Sequence, residues 1–245
     1  MKKDMLLPQT SSKHETPADR IQTVKEELNA AADTKYAAFS SSLLPGTDRL
    51  LGVRIPVLRE IAKREAKSGW KEFIRSADDS SFEMVMLQGM VIGYAKAAPE
   101  EIIEELDRFV PKITNWSICD STVATLKIAE KSPESFFAYA VSCMKSDREF
   151  TVRFGIVMFL MHFINDTYFQ QVLDLLNRPA YPGYYASMAA AWAVSILFVK
   201  YPDKTESWLS VCKLDDQTFN RSLQKIRESF RVDDATKKRM TALKR

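Results

Sequence analysis

The sequence is poor in the residues on which metal and thiol chemistry depend. Two histidines and three cysteines are spread over 245 residues, and no two cysteines have the CxxC spacing of a metal or redox motif. A zinc site needs several His, Cys or carboxylate ligands in one place, so we predict no metal site. Cys119, Cys143 and Cys212 are better explained as small buried residues in a reducing compartment.

Glycine is also scarce, with seven in the chain. Strand-rich folds and loops that wrap around nucleotide phosphates both use glycine, so its scarcity favours a helical protein. No apolar run is long enough to span a bilayer. The first residues do not have the pattern of a secretory signal, so we predict a cytoplasmic protein. The net charge of +3 does not by itself identify a nucleic-acid-binding protein.

Helix start signals recur along the chain. A proline at the first helical position follows a short turn at residues 98–100, 132–134 and 201–203, and Thr16-Pro17 begins the first helix. Hydrophobic residues make up 46% of the composition, enough for a sizeable core. We predict a flexible tail over residues 1–15 and a single all-α domain over residues 16–245, with about 12 to 14 helices.

The predicted helices pair from residue 81 onward, a longer apolar one with a shorter amphipathic one. The longer helices are predicted over residues 81–97, 115–131, 149–164 and 184–200. Their starts lie about 34 residues apart, an interval typical of helical repeats. We therefore predict a HEAT-like α-α solenoid, with an irregular helical bundle as the alternative. In a solenoid, equivalent positions of consecutive repeats line one face, which usually binds the ligand.

Trp116 and Asp120 lie four residues apart near the start of a predicted helix, so they share a face. A carboxylate fixed beside an indole can stabilise a developing cation. The alternative is a tryptophan of the core beside an ordinary surface acid.

Arg153 and Trp192 follow at about one repeat each, 37 and 39 residues further on. The Arg153 guanidinium could bind a phosphate, hold Asp120 in place, or form an ion pair with Glu149 at helical spacing. Trp192 follows three alanines, which let a ligand or a neighbouring helix approach closely; simple burial is the alternative. If the solenoid prediction holds, Trp116, Arg153 and Trp192 lie on one surface.

The C-terminal segment is strongly basic. Residues 221–245 contain nine Lys or Arg and three Asp or Glu, a net charge of +6 that leaves −3 for the remainder. Such a segment could attract a phosphate backbone, or could be a solvated helix.

Together these residues resemble a known family. The stretch Leu51–Arg59, then Asn115–Asp120, Arg153 and Trp192 are similar in order and spacing to the HEAT-like-repeat DNA alkylation repair proteins, the AlkD-type alkylpurine DNA glycosylases. The resemblance covers about residues 20–230. It implies an all-helical superhelix that needs no cofactor or metal. It also implies hydrolysis of the N-glycosidic bond of cationic alkylpurines, 7-methylguanine or 3-methyladenine, in duplex DNA without base flipping.

The resemblance also implies roles for these residues. Asp120 would be the catalytic residue that stabilises the sugar oxocarbenium ion and orients water. Trp116 and Trp192 would be aromatic walls beside the sugar, and Arg153 would hold the adjacent phosphate. The implied partner is alkylated double-stranded DNA, bound by a monomer with no membrane involved.

One segment departs from the family pattern. Active members have a continuous helix ahead of the Gly52–Pro56 stretch that enters the minor groove, whereas Ser40–Ser42 and Pro45-Gly46 predict an early helix end here. Two alternatives therefore stay open beside the glycosylase: a non-catalytic DNA-binding paralogue, and a helical-repeat scaffold that binds a protein.

Overall fold

The computed structural model describes residues 16–245, which fold into fourteen α-helices and no strand. The predicted tail, residues 1–15, lies outside the described residues. The helices are α1 Pro17–Ala30, α2 Thr34–Leu43, α3 Ile55–Lys67, α4 Trp70–Ser76, α5 Phe82–Tyr94, α6 Pro99–Phe109, α7 Trp116–Thr125, α8 Pro133–Cys143, α9 Glu149–Met158, α10 Phe169–Leu176, α11 Gly183–Lys200, α12 Pro202–Leu209, α13 Asp216–Glu228 and α14 Asp234–Ala242.

Six helices form an inner layer in which each packs against the next: α3, α5, α7, α9, α11 and α13. The shorter helices form an outer layer, with α4 and α6 against α5, α8 against α9, α12 against α11 and α14 against α13. This side-by-side stacking of helix pairs is the all-α solenoid that the sequence predicts. One hydrophobic core runs through it from Ile21 on α1 to Met240 on α14.

The apolar patterns explain the two layers. Helix α6 of the outer layer is amphipathic, burying Ile102, Leu106 and Phe109 while Glu100 and Glu104 face solvent. Helix α5 of the inner layer is buried almost all round, from Met84 to Gly93. No helix in residues 16–245 has the length and apolar content required to cross a membrane.

The predicted helix starts are confirmed, but three inner helices end earlier than predicted, the first being α5, which ends at Tyr94. Helix α1 begins after Thr16, whose side chain accepts a hydrogen bond from the Asp19 amide in a capping box. The prediction for α7 ran to Lys131, yet the helix ends at Thr125 and a 3₁₀ turn follows over Lys127–Glu130. Helix α9 ends at Met158, and a π-helical turn over Phe159–Phe163 completes the predicted span.

Candidate functional site

The centre of the site is a pairing of Asp120 with Arg153. Asn115 caps the start of α7 by accepting a hydrogen bond from the Ile118 amide at 3.0 Å, which places Asp120 one turn into the helix. The Arg153 Nε lies 2.9 Å from one Asp120 oxygen and the Nη2 2.8 Å from the other. The Asp120 side chain is 17% exposed and that of Arg153 6%. The carboxylate is therefore held by two hydrogen bonds and still open to solvent.

Arg153 also binds the next inner helix. Its Nη1 donates to the Tyr185 carbonyl of α11 at 2.9 Å, so one side chain on α9 connects three consecutive inner helices. The alternative partner, Glu149, accepts a hydrogen bond from the Tyr185 amide instead. Because a guanidinium has five N–H groups, these contacts leave two, on a buried side chain, for any phosphate.

Trp116 lies one turn before Asp120 and is partly exposed. Its indole Nε1 donates to the Leu43 carbonyl at 3.2 Å. Leu43 is the last residue of α2, which spans ten residues and ends just before Pro45-Gly46. The three serines lie inside this helix, so the turn after Leu43, and not the serines, ends it. The shortened N-terminal helix thus ends against Trp116.

Trp192 lies on α11, the next inner helix after α9. It is partly exposed in the middle of α11, seven residues beyond Tyr185. It lines a cleft of about 210 Å³ between α11 and α13, together with Ile196, Val199 and Lys225. The structure therefore joins Asp120 to Arg153 directly and places Trp116 one turn away, whereas Trp192 lines the cleft next along the layer.

Comparison with known proteins places this site in a family. The sequence model of the DNA alkylation repair enzyme family matches residues 24–180, more than half of the chain. The chain is a DNA alkylation repair family protein. The match includes Trp116, Asp120 and Arg153, and ends before Trp192. No curated protein matches the sequence.

The sequence prediction missed a regular row of aromatic residues in this DNA alkylation repair family protein. Phe82, Trp116, Phe150 and Tyr184 lie 34 residues apart, each in the first turn of an inner helix, and none is fully buried. The Arg221 guanidinium stacks on the Tyr184 ring with its carbon 4.6 Å from the centroid. The constant spacing was readable from the sequence and would have placed Trp116 in this row.

Basic side chains lie at the other ends of two of these helices, α5 and α7. Lys96, Lys127 and Lys131 line a cleft of about 480 Å³ between their C-terminal ends, and Lys127 pairs with Glu130 at 3.2 Å. Cations at helix C-termini are favourable in themselves. Three of them around one open cleft also make a place where phosphates can bind.

The thiol of Cys119, next to Asp120 in the sequence, is fully buried. Burial, with the neighbouring Asp120 charge, raises the pKa of the Cys119 thiol well above its ordinary value of 9.0, so this residue stays protonated. Within residues 16–245, no three His, Cys, Asp or Glu side chains come together as a metal site would need.

Proposed function

We propose that this protein hydrolyses the N-glycosidic bond of cationic alkylpurines in duplex DNA, with Asp120 as the catalytic residue. The observation that carries the proposal is the Asp120 carboxylate, which accepts hydrogen bonds from the Arg153 Nε and Nη2, stays partly open to solvent and lies one turn from Trp116. It occurs in a chain of the DNA alkylation repair family. In this proposal residues 16–245 act as one domain, and the protein works as a cytoplasmic monomer on DNA.

The chemistry requires little from the enzyme beyond charge stabilisation. An alkylated purine such as 7-methylguanine carries a positive charge, so when its bond to the sugar C1′ breaks, the electron pair leaves with a neutral base. The sugar becomes an oxocarbenium ion. A carboxylate stabilises that cation more strongly than it stabilises the uncleaved nucleotide, and such differential stabilisation is what accelerates a reaction. Water then adds to C1′ and loses a proton, giving an abasic site.

The roles of the other residues follow from their contacts. Arg153 fixes the directions of both Asp120 oxygens, so their remaining lone pairs can face the sugar and the incoming water. The Trp116 ring can lie beside the sugar and offer its negative π face to the cation. Trp192, in the neighbouring cleft, would contact the same strand further along.

The direct test is base release from methylated duplex DNA. We expect wild-type protein to release 7-methylguanine or 3-methyladenine, and Asp120→Asn to be slower by about 100-fold or more, the usual cost of losing one stabilising group for a transition-state charge. Asn keeps one oxygen for Arg153, and removing a negative charge should leave DNA affinity unchanged or increased. Wild-type protein that releases no more base than buffer would rule out the glycosylase.

A second candidate is a family member that binds DNA without excising a base. The short α2 favours it, because active members of the family it resembles have a continuous helix there, whereas here α2 ends at Leu43 against the edge of Trp116. This candidate predicts a duplex affinity that falls with salt as Lys and Arg contacts release counterions, with no base release. A duplex affinity that does not change with salt would count against both candidates.

A further inference from the structure

A second cleft, of about 370 Å³, lies beside Trp116 at the opposite ends of α5 and α7 from the lysine cleft. Its walls are the turn at residues 46–49 and the N-terminal ends of α5 and α7. Hydroxyl side chains line it at Thr47, Ser81 and Thr114, and Phe82 provides an apolar wall.

One group in this cleft needs a partner that the protein does not supply. Asn115 is 5% exposed, and its side-chain oxygen accepts the hydrogen bond from the Ile118 amide. Only an acceptor can cap the helix, so the atom bonded to the Ile118 amide is the Asn115 oxygen, and the other side-chain atom is its nitrogen, Nδ2. The Asn115 Nδ2 has no hydrogen-bond acceptor among residues 16–245. A buried donor without an acceptor is unfavourable, and native proteins seldom leave one unpaired.

The cleft is lined by two basic and two acidic side chains. Lys112 pairs with Asp79 at 3.1 Å, and Gln88 donates to the same carboxylate at 3.0 Å. Arg49 forms no ion pair with any residue in the range 16–245, and Asp48 lines the cleft as an opposing charge. Two inner helices also begin at this cleft, and their N-terminal dipoles attract negative groups. An anionic oxygen bound here would meet the Arg49 guanidinium, the two helix N-termini and the unpaired Asn115 donor.

We propose that this cleft binds a DNA backbone phosphate flanking the nucleotide beside Trp116. This inference rests on the proposed function, since it places the sugar next to Trp116 and the phosphate next to Asn115, the preceding residue. The Asn115 contact would also add to any phosphate binding by Arg153, since three of the five N–H groups of Arg153 already donate to groups within the protein.

The test uses substitutions that preserve the helix cap. Ser and Asp cap helices about as well as Asn, so Asn115→Ser and Asn115→Asp should fold normally while removing the amide donor. Ser117→Asp, two residues along the same helix, controls for added charge. Affinities are measured by fluorescence anisotropy on a labelled duplex with one stable abasic-site analogue. A second series of duplexes carries single methylphosphonate linkages, which remove the charge of one phosphate at a time.

We expect both Asn115 variants to bind about tenfold more weakly than wild type, the cost of one charge-assisted hydrogen bond, and Ser117→Asp to change affinity less than either. One methylphosphonate position next to the analogue should weaken wild-type binding and leave Asn115→Ser unaffected. An Asn115→Ser variant that binds like wild type overturns the inference alone. A wild-type protein without duplex affinity overturns the inference and the proposed function together. DNA binding through this phosphate without base release overturns only the proposed excision.

Discussion

At the scale of single residues, the main finding is that the Arg153 guanidinium makes three hydrogen bonds inside the protein. It holds both oxygens of Asp120 and the Tyr185 carbonyl. A bidentate arginine fixes a carboxylate in direction as well as in distance, which a lysine cannot do. The contacts therefore describe a positioning residue, whereas the family resemblance implies a phosphate ligand.

Arg153→Lys separates these two roles. If Arg153 positions Asp120, excision should fall by about 10- to 100-fold, as expected when a catalytic group is misplaced, while duplex affinity and its salt dependence stay near wild type. The measurements are single-turnover base release and anisotropy at several salt concentrations. Arg148→Lys, on the residue that precedes α9, is the matched control. Unchanged excision with a weaker duplex affinity would identify a phosphate ligand instead, because lysine keeps the charge and loses the bidentate contact.

The buried thiols give a prediction about alkaline pH. Burial raises the pKa of Cys143 from an ordinary 9.0 to about 12 and that of Cys119 well above 9.0. Above pH 9 the unfolded chain loses these protons and the folded chain keeps them, so the stability of the folded state falls as pH rises. We expect Cys119→Ala/Cys143→Ala to lose less stability than wild type between pH 8 and pH 10 in urea unfolding. Equal losses would show that other groups dominate.

At the scale of helices, the decisive contact is the close approach of α5 and α7. A Cβ atom added at Gly89 would lie 2.0 Å from the Thr122 Oγ1 and 2.7 Å from the Phe109 ring. One added at Gly93 would lie 1.9 Å from the Thr125 Oγ1. The two glycines thus set the distance between the helix that carries Asp120 and its neighbour.

Gly89→Ala tests that distance. Alanine favours a helix, so without the close approach this change would stabilise the protein by about 0.5–1 kcal/mol. We instead expect a loss of about 1–3 kcal/mol from overpacking, read from urea unfolding midpoints. Adding Thr122→Ala removes one of the two obstructions and should restore part of the stability. A stabilised single variant would mean that α5 and α7 have room to spare.

The same contact shows what sequence patterns can and cannot predict. Helix starts are encoded locally, and Thr16 and Asn115 cap their helices as the sequence indicates. The end of α7 at Thr125 is not encoded locally, because no glycine or proline follows Thr125 before Pro133. There the Thr125 hydroxyl donates back to the Thr122 carbonyl against Gly93 of α5, a contact across 32 residues.

The candidate site divides in the same way. Trp116 and Asp120 share a helical face by spacing alone, so local sequence predicts their proximity. Arg153 had a helical-spacing partner, Glu149, and its partner in the structure is 33 residues away. Only the packing of α9 against α7 decides between the two, and sequence spacing says nothing about it.

At the scale of the whole molecule, the inner layer offers DNA two different edges. One carries helix N-termini and the cleft at Asn115, and the other the lysine-lined cleft between α5 and α7. Asp120 lies between them on α7. Binding at both edges would hold a duplex across the carboxylate.

The lysine edge can be tested through the salt dependence of binding. Each phosphate contact adds about 0.9 to the slope of log affinity against log salt. Replacing Lys96, Lys127 and Lys131 by Gln should therefore make the slope shallower by up to about 2.7, measured by anisotropy between 50 and 200 mM salt, a range over which such contacts dominate. The control replaces Lys145, Lys204 and Lys213, exposed residues on or beside outer-layer helices, by Gln. Identical slopes for the two triple variants would show that DNA does not contact the lysine-lined cleft.

The hydrogen bond between Trp116 and the end of α2 has a kinetic consequence. If the end of α2 moves away from Trp116 when a duplex binds, the Leu43 carbonyl must first leave the indole nitrogen. Productive engagement then waits for a spontaneous opening of that contact, so the observed rate of binding should level off at high DNA concentration. A variant with the indole nitrogen removed, Trp116→Phe, would engage without that delay.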